Sequence, residues 1–116
     1  MDKTVLVLDD EQECIDTLKS FLTEFGFSVT VALYPHHALD MLSQKPDFTL
    51  FDYKMPEMDG DEFLKKAKAI SPQTKFVLMT AYRDDLTVER FKKMGVYEAM
   101  IKPIDLESLL ELLQSH

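Results

Sequence analysis

Glycine, cysteine and tryptophan are scarce in this chain, at three, one and none, and each shortage removes a class of function. The single cysteine, Cys14, excludes an internal disulfide, and no cluster of cysteines and histidines has zinc-site spacing. Three glycines are too few for the glycine-rich loop a nucleotide enzyme needs. No apolar run approaches the ~18 residues of a membrane helix. The N-terminal Met1-Asp2-Lys3-Thr4, with a short apolar run broken at Asp9, lacks the length and flanks of a signal peptide. Positive charge is also in the minority: 13 Lys and Arg face 21 Asp and Glu, for a net charge of −8. That balance argues against direct nucleic-acid binding and favours cations or basic partner surfaces. No membrane partner is expected, and a cytoplasmic, reducing setting is the simplest inference.

What is present reads as one domain over residues 1–116, with 46% hydrophobic and 29% charged residues. Short apolar runs alternate with helical patterns. Val5–Leu8, Phe27–Val31, Phe48–Phe51, Lys75–Met79 and Ala99–Ile101 read as strands. Between them, Ile15, Leu18, Leu22 and Phe25 recur at helical spacing before Gly26, a left-handed helix stop. Pro35 suits the first turn of a second helix carrying Ala38, Leu39 and Leu42. A third helix opens at Gly60-Asp61-Glu62 with Phe63, Ala67 and Ile70 on one face, and Ser71-Pro72 stops it. The fourth carries Asp84-Asp85 in its first turn with Val88, Phe91 and Met94 apolar, and Asp105 caps the fifth, with Leu106, Leu109, Leu110 and Leu113. Five strands alternating with five helices argue for a parallel sheet covered on both faces.

The acids at the strand ends need a local explanation. The first strand runs into Asp9-Asp10-Glu11, and the third delivers Asp52 to a turn, Met55-Pro56-Glu57-Met58-Asp59-Gly60. Were these strands parallel neighbours, the carboxylates would meet at one sheet edge. They would then carry raised pKa values or hold a cation, and a hard divalent ion with oxygen ligands fits best. Thr80 ends the fourth strand and Lys102-Pro103 follows the fifth. Alone, each of these residues reads as a cap, a turn or a solvated acid.

Taken together and in this order, they resemble the response-regulator receiver domain of two-component signalling, along essentially the whole chain. The resemblance implies a flavodoxin-like (βα)5 three-layer sandwich with strand order 2-1-3-4-5. It also implies a phosphoacceptor module in which Asp52 takes a phosphoryl group from a sensor histidine kinase or a histidine phosphotransfer protein. Asp10, Asp52 and the backbone carbonyl of Lys54 would then hold Mg²⁺, or Mn²⁺, with Asp9 acting largely through water. Lys102 would neutralise the transferring group and Thr80 would donate its hydroxyl to it, the Lys102-Pro103 bond being cis. Such a protein is no conventional enzyme, yet it catalyses its own aspartyl phosphorylation and dephosphorylation. The partners implied are the kinase, an output domain or protein, and a second copy through the fourth helix, fifth strand and fifth helix.

Two departures matter. The position three residues before Lys102, usually Tyr or Phe in the family, is Ala99; Tyr97, expected on the same strand face, and Tyr82 are the aromatics available to replace it. Lys54 and Tyr82, two residues beyond Asp52 and Thr80, are large and predict a shielded acyl phosphate that hydrolyses slowly. A pseudo-receiver that binds partners without phosphorylation is the alternative, which Ala99 favours and the complete acid-lysine set opposes. A haloacid-dehalogenase-type phosphatase would need an acid where Lys54 stands. Cys14, His36-His37, the methionines and Lys65-Lys66-Lys68 have ordinary packing or surface readings.

Overall fold

The computed structural model describes residues 3–81 and 85–115. Five strands, β1 (Thr4–Leu8), β2 (Ser28–Ala32), β3 (Phe48–Asp52), β4 (Lys75–Thr80) and β5 (Glu98–Ile101), form one sheet in the order β2-β1-β3-β4-β5. Every pairing is parallel. The helices are α1 (Gln12–Glu24), α2 (Pro35–Met41), α3 (Gly60–Ile70), α4 (Asp85–Lys93) and α5 (Leu106–Gln114), with a single 3₁₀ turn at Leu42–Gln44. This is the flavodoxin-like order expected. Among the described residues no helix is long and apolar enough to cross a membrane.

Alternation along the strands sends successive side chains to opposite faces and so builds two cores. Val5, Val7, Phe48, Leu50, Val77 and Met79 face α1 and α5, where they pack with Ile15, Leu18, Leu22, Leu109 and Leu113. Leu6, Leu8, Phe51, Phe76 and Leu78 face the other way, onto Ala38, Leu42, Phe63, Leu64, Ala67 and Phe91 of the α2–α4 layer. With both faces covered, the central strands are buried along almost their whole length, and β3 is buried at all five positions.

The caps follow the sequence chemistry. Gly26 takes φ 92° and closes α1, and Pro35 occupies the first turn of α2. Asp59 accepts from the Glu62 N–H at the start of α3, and Asp105 from the Glu107 N–H at the start of α5. Three expectations are corrected. Phe25 is 48% exposed because α1 ends at Glu24, so its ring leans on Phe21 (centroids 5.0 Å apart) rather than entering the core. Ile70, the last residue of α3, is 42% exposed, and Leu64 takes the buried place beside Phe63 and Ala67. The second helix, expected to carry Leu42, ends at Met41 and gives way to the 3₁₀ turn at Leu42, which Lys45 closes at φ 54°. Asp84, expected in the first turn of the fourth helix, lies outside the described residues.

Candidate functional site

Strand register builds the site. Leu8 lies opposite Phe51, so the next residues, Asp9 and Asp52, are neighbours at the carboxyl edge of the sheet. Asp52 pairs in register with Met79, and Thr80 with Ile101, which brings Thr80 and Lys102 to the same edge. The Lys102 N–H donates to the Thr80 carbonyl at 2.7 Å. Between β1 and β3 the strand order reverses, and open α/β sheets carry their ligand crevices there.

The Lys102 ammonium sits among the acids. Its Nζ donates to Asp9 Oδ2 at 2.7 Å, to Asp52 Oδ2 at 3.1 Å and, more weakly, to Glu11 Oε1 at 3.5 Å. Asp9 is fully buried, and its other oxygen, Oδ1, accepts from the Glu11 N–H at 3.0 Å. Asp10 is exposed at the rim, Asp52 is almost buried, and Thr80 is fully buried. Lys54 is exposed in the β3–α3 loop. The Lys102-Pro103 peptide is cis, as the resemblance implies.

One oxygen from each of Asp9, Asp10, Glu11 and Asp52 lies within 4.8 Å of the others. Four carboxylates against one ammonium leave an excess of negative charge in a recess, with oxygen donors only. That donor set suits a hard divalent cation, which tolerates carboxylate and water ligands together. Burial pushes the Asp52 carboxyl above its ordinary range, and Asp9 adds to the rise while Lys102 opposes it. For Lys102 burial alone would favour the neutral amine, but the hydrogen bond to Asp9 and the charges of Asp52 and Asp9 outweigh it and raise its pKa. The acids around it thus favour its charged form. Cys14, half-buried beside the site, is pushed up to about 12 by burial and by Asp9, which disfavours its thiolate at neutral pH.

Asp9, Asp10, Asp52, Thr80 and Lys102 stand together at this edge, with Lys54 in the loop that follows β3, whereas the aromatic expected to replace the one missing at Ala99 does not. Tyr97 is not on the face of Ala99: it precedes β5, its N–H donates to the Phe76 carbonyl at 2.7 Å, and its ring lies 6.4 Å from that of Phe48 in the α1–α5 core. Ala99 packs against the opposite core. Tyr97 lies just before β5, outside the stretch over which the two-residue alternation of the strand holds. Tyr82 lies outside the described residues. Glu11, to which the sequence reading gave no role beyond its place in the acidic run after the first strand, joins the group.

Residues 5–114 match the family described as the response regulator receiver domain. Among curated relatives, the transcriptional regulatory protein ZraR of Salmonella typhimurium is 35% identical over 111 residues, covering 95% of this chain and 25% of that protein. The chain thus spans about a quarter of the length of such relatives. Sporulation initiation phosphotransferase F of Bacillus subtilis is 28% identical over 117 residues and is covered over 94% of its length. Among solved structures, a CheY-like receiver domain protein from Methanospirillum hungatei JF-1 superposes with TM-score 0.92 at 28% identity, over 99% of this chain and 93% of that one. A Burkholderia pseudomallei response regulator protein, solved with a phosphorylated aspartic acid, a calcium ion and citrate, superposes with TM-score 0.89 at 27% identity, over 98% and 68%. From its first strand to its last helix, this chain belongs to the response-regulator receiver domain family.

Proposed function

We propose that the domain is a phosphoacceptor switch in which Asp52 carries the signal. The observation that carries this reading is the contact of Asp52 with Lys102 at a carboxylate-rich sheet edge, beside Asp9 and Asp10. In the transfer, an oxygen of Asp52 forms a bond to phosphorus while the phosphorus–nitrogen bond of a donor phosphohistidine breaks. The bonding electrons leave with the imidazole, which takes up a proton from solvent. Lys102 offsets the negative charge of the incoming group, and the Thr80 hydroxyl donates to one of its oxygens. Asp10, Asp52 and the Lys54 carbonyl would hold Mg²⁺ or Mn²⁺, with Asp9 reached through water. When bound, the cation supplies the positive charge that lets an anionic nucleophile meet an anionic phosphoryl group.

The donor is a sensor histidine kinase or a histidine phosphotransfer protein, and the setting is the cytoplasm. The receiving surface is the face of α4, β5 and α5, where Met100 and Ile101 are partly exposed; an output domain, an output protein or a second copy would dock there. Lys54, exposed beside Asp52, and Tyr82 slow hydrolysis by shielding the acyl phosphate. An acyl-phosphate lifetime unchanged by Lys54→Ala and Tyr82→Ala would remove that part of the reading.

The test is incubation with Mg²⁺ and acetyl phosphate or phosphoramidate, read by intact mass. One added phosphoryl group, dependent on Mg²⁺ and lost in Asp52→Asn, is the expected result. A folded sample that binds Mg²⁺ but gains nothing from either donor would favour the pseudo-receiver reading, for which Ala99 is the specific observation.

A further inference from the structure

Helix α4 is coupled to the phosphoacceptor loop by a cluster that the sequence does not advertise. Tyr53 directly follows Asp52, and its main chain is pinned on both sides. Its N–H donates to the Met79 carbonyl of β4 at 3.1 Å, and its carbonyl accepts from Gly60 N–H at the start of α3 at 2.8 Å. Its ring meets Phe91 of α4 edge-on, with centroids 5.6 Å apart and planes at 87°. The guanidinium of Arg90 lies over both rings, 5.8 Å from the Tyr53 centroid and 4.9 Å from that of Phe91. It also donates to the Tyr53 hydroxyl at 3.2 Å and forms an ion pair with Asp61 in the first turn of α3.

Little slack exists in this contact. A Cβ on Gly60 would stand 3.3 Å from both the Phe91 ring and the Tyr53 main chain, so the loop and α4 already touch where Gly60 lies. Ala99, where the family commonly has an aromatic, offers only a methyl group. Two consecutive residues of α4, Arg90 and Phe91, therefore read the position of the residue next to Asp52.

We propose that Arg90 is the latch through which the Asp52 site sets the position of α4, by way of the Tyr53 hydroxyl and Asp61. This rests on Asp52 being the phosphoacceptor. A phosphoryl group on Asp52 adds charge and bulk at the start of the β3–α3 loop. Tyr53 cannot follow that change without altering its hydrogen bond to Arg90 and its edge contact with Phe91. The helix is thus the two-state element and the Tyr53–Arg90 contact biases it.

The experiment is hydrogen–deuterium exchange on the whole chain with and without Mg²⁺ and beryllofluoride, an acyl-phosphate mimic, in wild type, Arg90→Met and Tyr53→Phe. In wild type, beryllofluoride should protect the β3–α3 loop and change exchange in α4 by about fivefold or more, the lower end of ordinary coupling. Both variants should keep the loop protection and lose most of the α4 response. A full α4 response in both variants overturns the latch. Loop protection with a silent α4 in wild type also overturns it and leaves the phosphoacceptor reading standing. If wild type shows neither loop protection nor an added phosphoryl group by mass, both fall together. Because both residues lie at the surface side of the cluster and Tyr53→Phe keeps the ring, the variants retain the packed core.

Discussion

Replacing Lys102 with methionine isolates the electrostatics of the site. At 2.7 and 3.1 Å, the ammonium gains roughly 6 and 5 kcal/mol of gross attraction from Asp9 and Asp52 at an effective dielectric constant near 20. Much of this offsets the cost of dehydrating three charges, so the pair as formed contributes little net. Removing one partner is different, because the acids remain buried and lose their counter-charge, a change that typically costs ~3–5 kcal/mol. The site is open on one side, with Glu11 68% exposed and Lys102 15% exposed along their side chains, which places the loss near the lower end, at about 3 kcal/mol. With a urea slope of roughly 1.5 kcal/mol per molar, the unfolding midpoint should fall by about 2 M in metal-free buffer. Mg²⁺ should then recover more stability in Lys102→Met than in wild type, since it meets the same acids without a resident ammonium. At about 100 times its dissociation constant it contributes roughly 2.7 kcal/mol. A metal-free loss below about 1 kcal/mol would refute the uncompensated-charge argument, and an equal or smaller Mg²⁺ gain in the variant would refute the competition.

The other predictions concern single groups. Burial raises the Asp52 pKa above its ordinary value of 3.8, so holding it ionised costs the fold stability. That cost is absent below pH 3.8, grows as the pH climbs through the folded-state value, and is constant above it; Asp52→Asn should therefore be more stable than wild type at neutral pH, an advantage that vanishes in acid titrations followed by circular dichroism. A variant no more stable at pH 7 would contradict the sign. Thr49 is fully buried in β3, and its hydroxyl is the one buried side-chain polar atom without a partner among the described residues. Thr49→Val should raise stability by about 1 kcal/mol, or roughly 4 °C in the thermal midpoint, and a lower midpoint would mean that the hydroxyl is satisfied in solution. Cys14, with its thiol pushed up to about 12, should react with iodoacetamide far more slowly at pH 7.5 than a free thiol. Equal rates would show that the group is not held among the acids.

Much of this arrangement was legible in the sequence because parallel strands buried on both faces must be continuous apolar runs. Val5–Leu8 and Phe48–Phe51 announce themselves, and the acids that follow them stand out as breaks in those runs. The strand order came from resemblance, since periodicity carries no information about neighbours. Errors fall where local pattern loses its hold. Phe25 and Ile70 continue a helical spacing past the point where the helix stops facing the core. Tyr97 follows a two-residue alternation that holds only from Glu98 onward. Arg90 was invisible for another reason. It is a charged residue on a helix surface, and its partners Tyr53 and Asp61 lie 37 and 29 positions away, so only the fold brings them together.

The division of the molecule into a chemical edge and a set of outer helix faces has a consequence for how such a domain diversifies. Asp9, Asp52, Thr80 and Lys102 are held at strand ends by the registers of buried strands, whereas the exposed residues of α1, α4 and α5 lie on the outer faces of the helices. Exposed helix positions can drift while the cluster at the strand ends stays as it was. A lineage can therefore alter these outer faces one surface residue at a time, with each intermediate still able to fold and to keep its acidic edge.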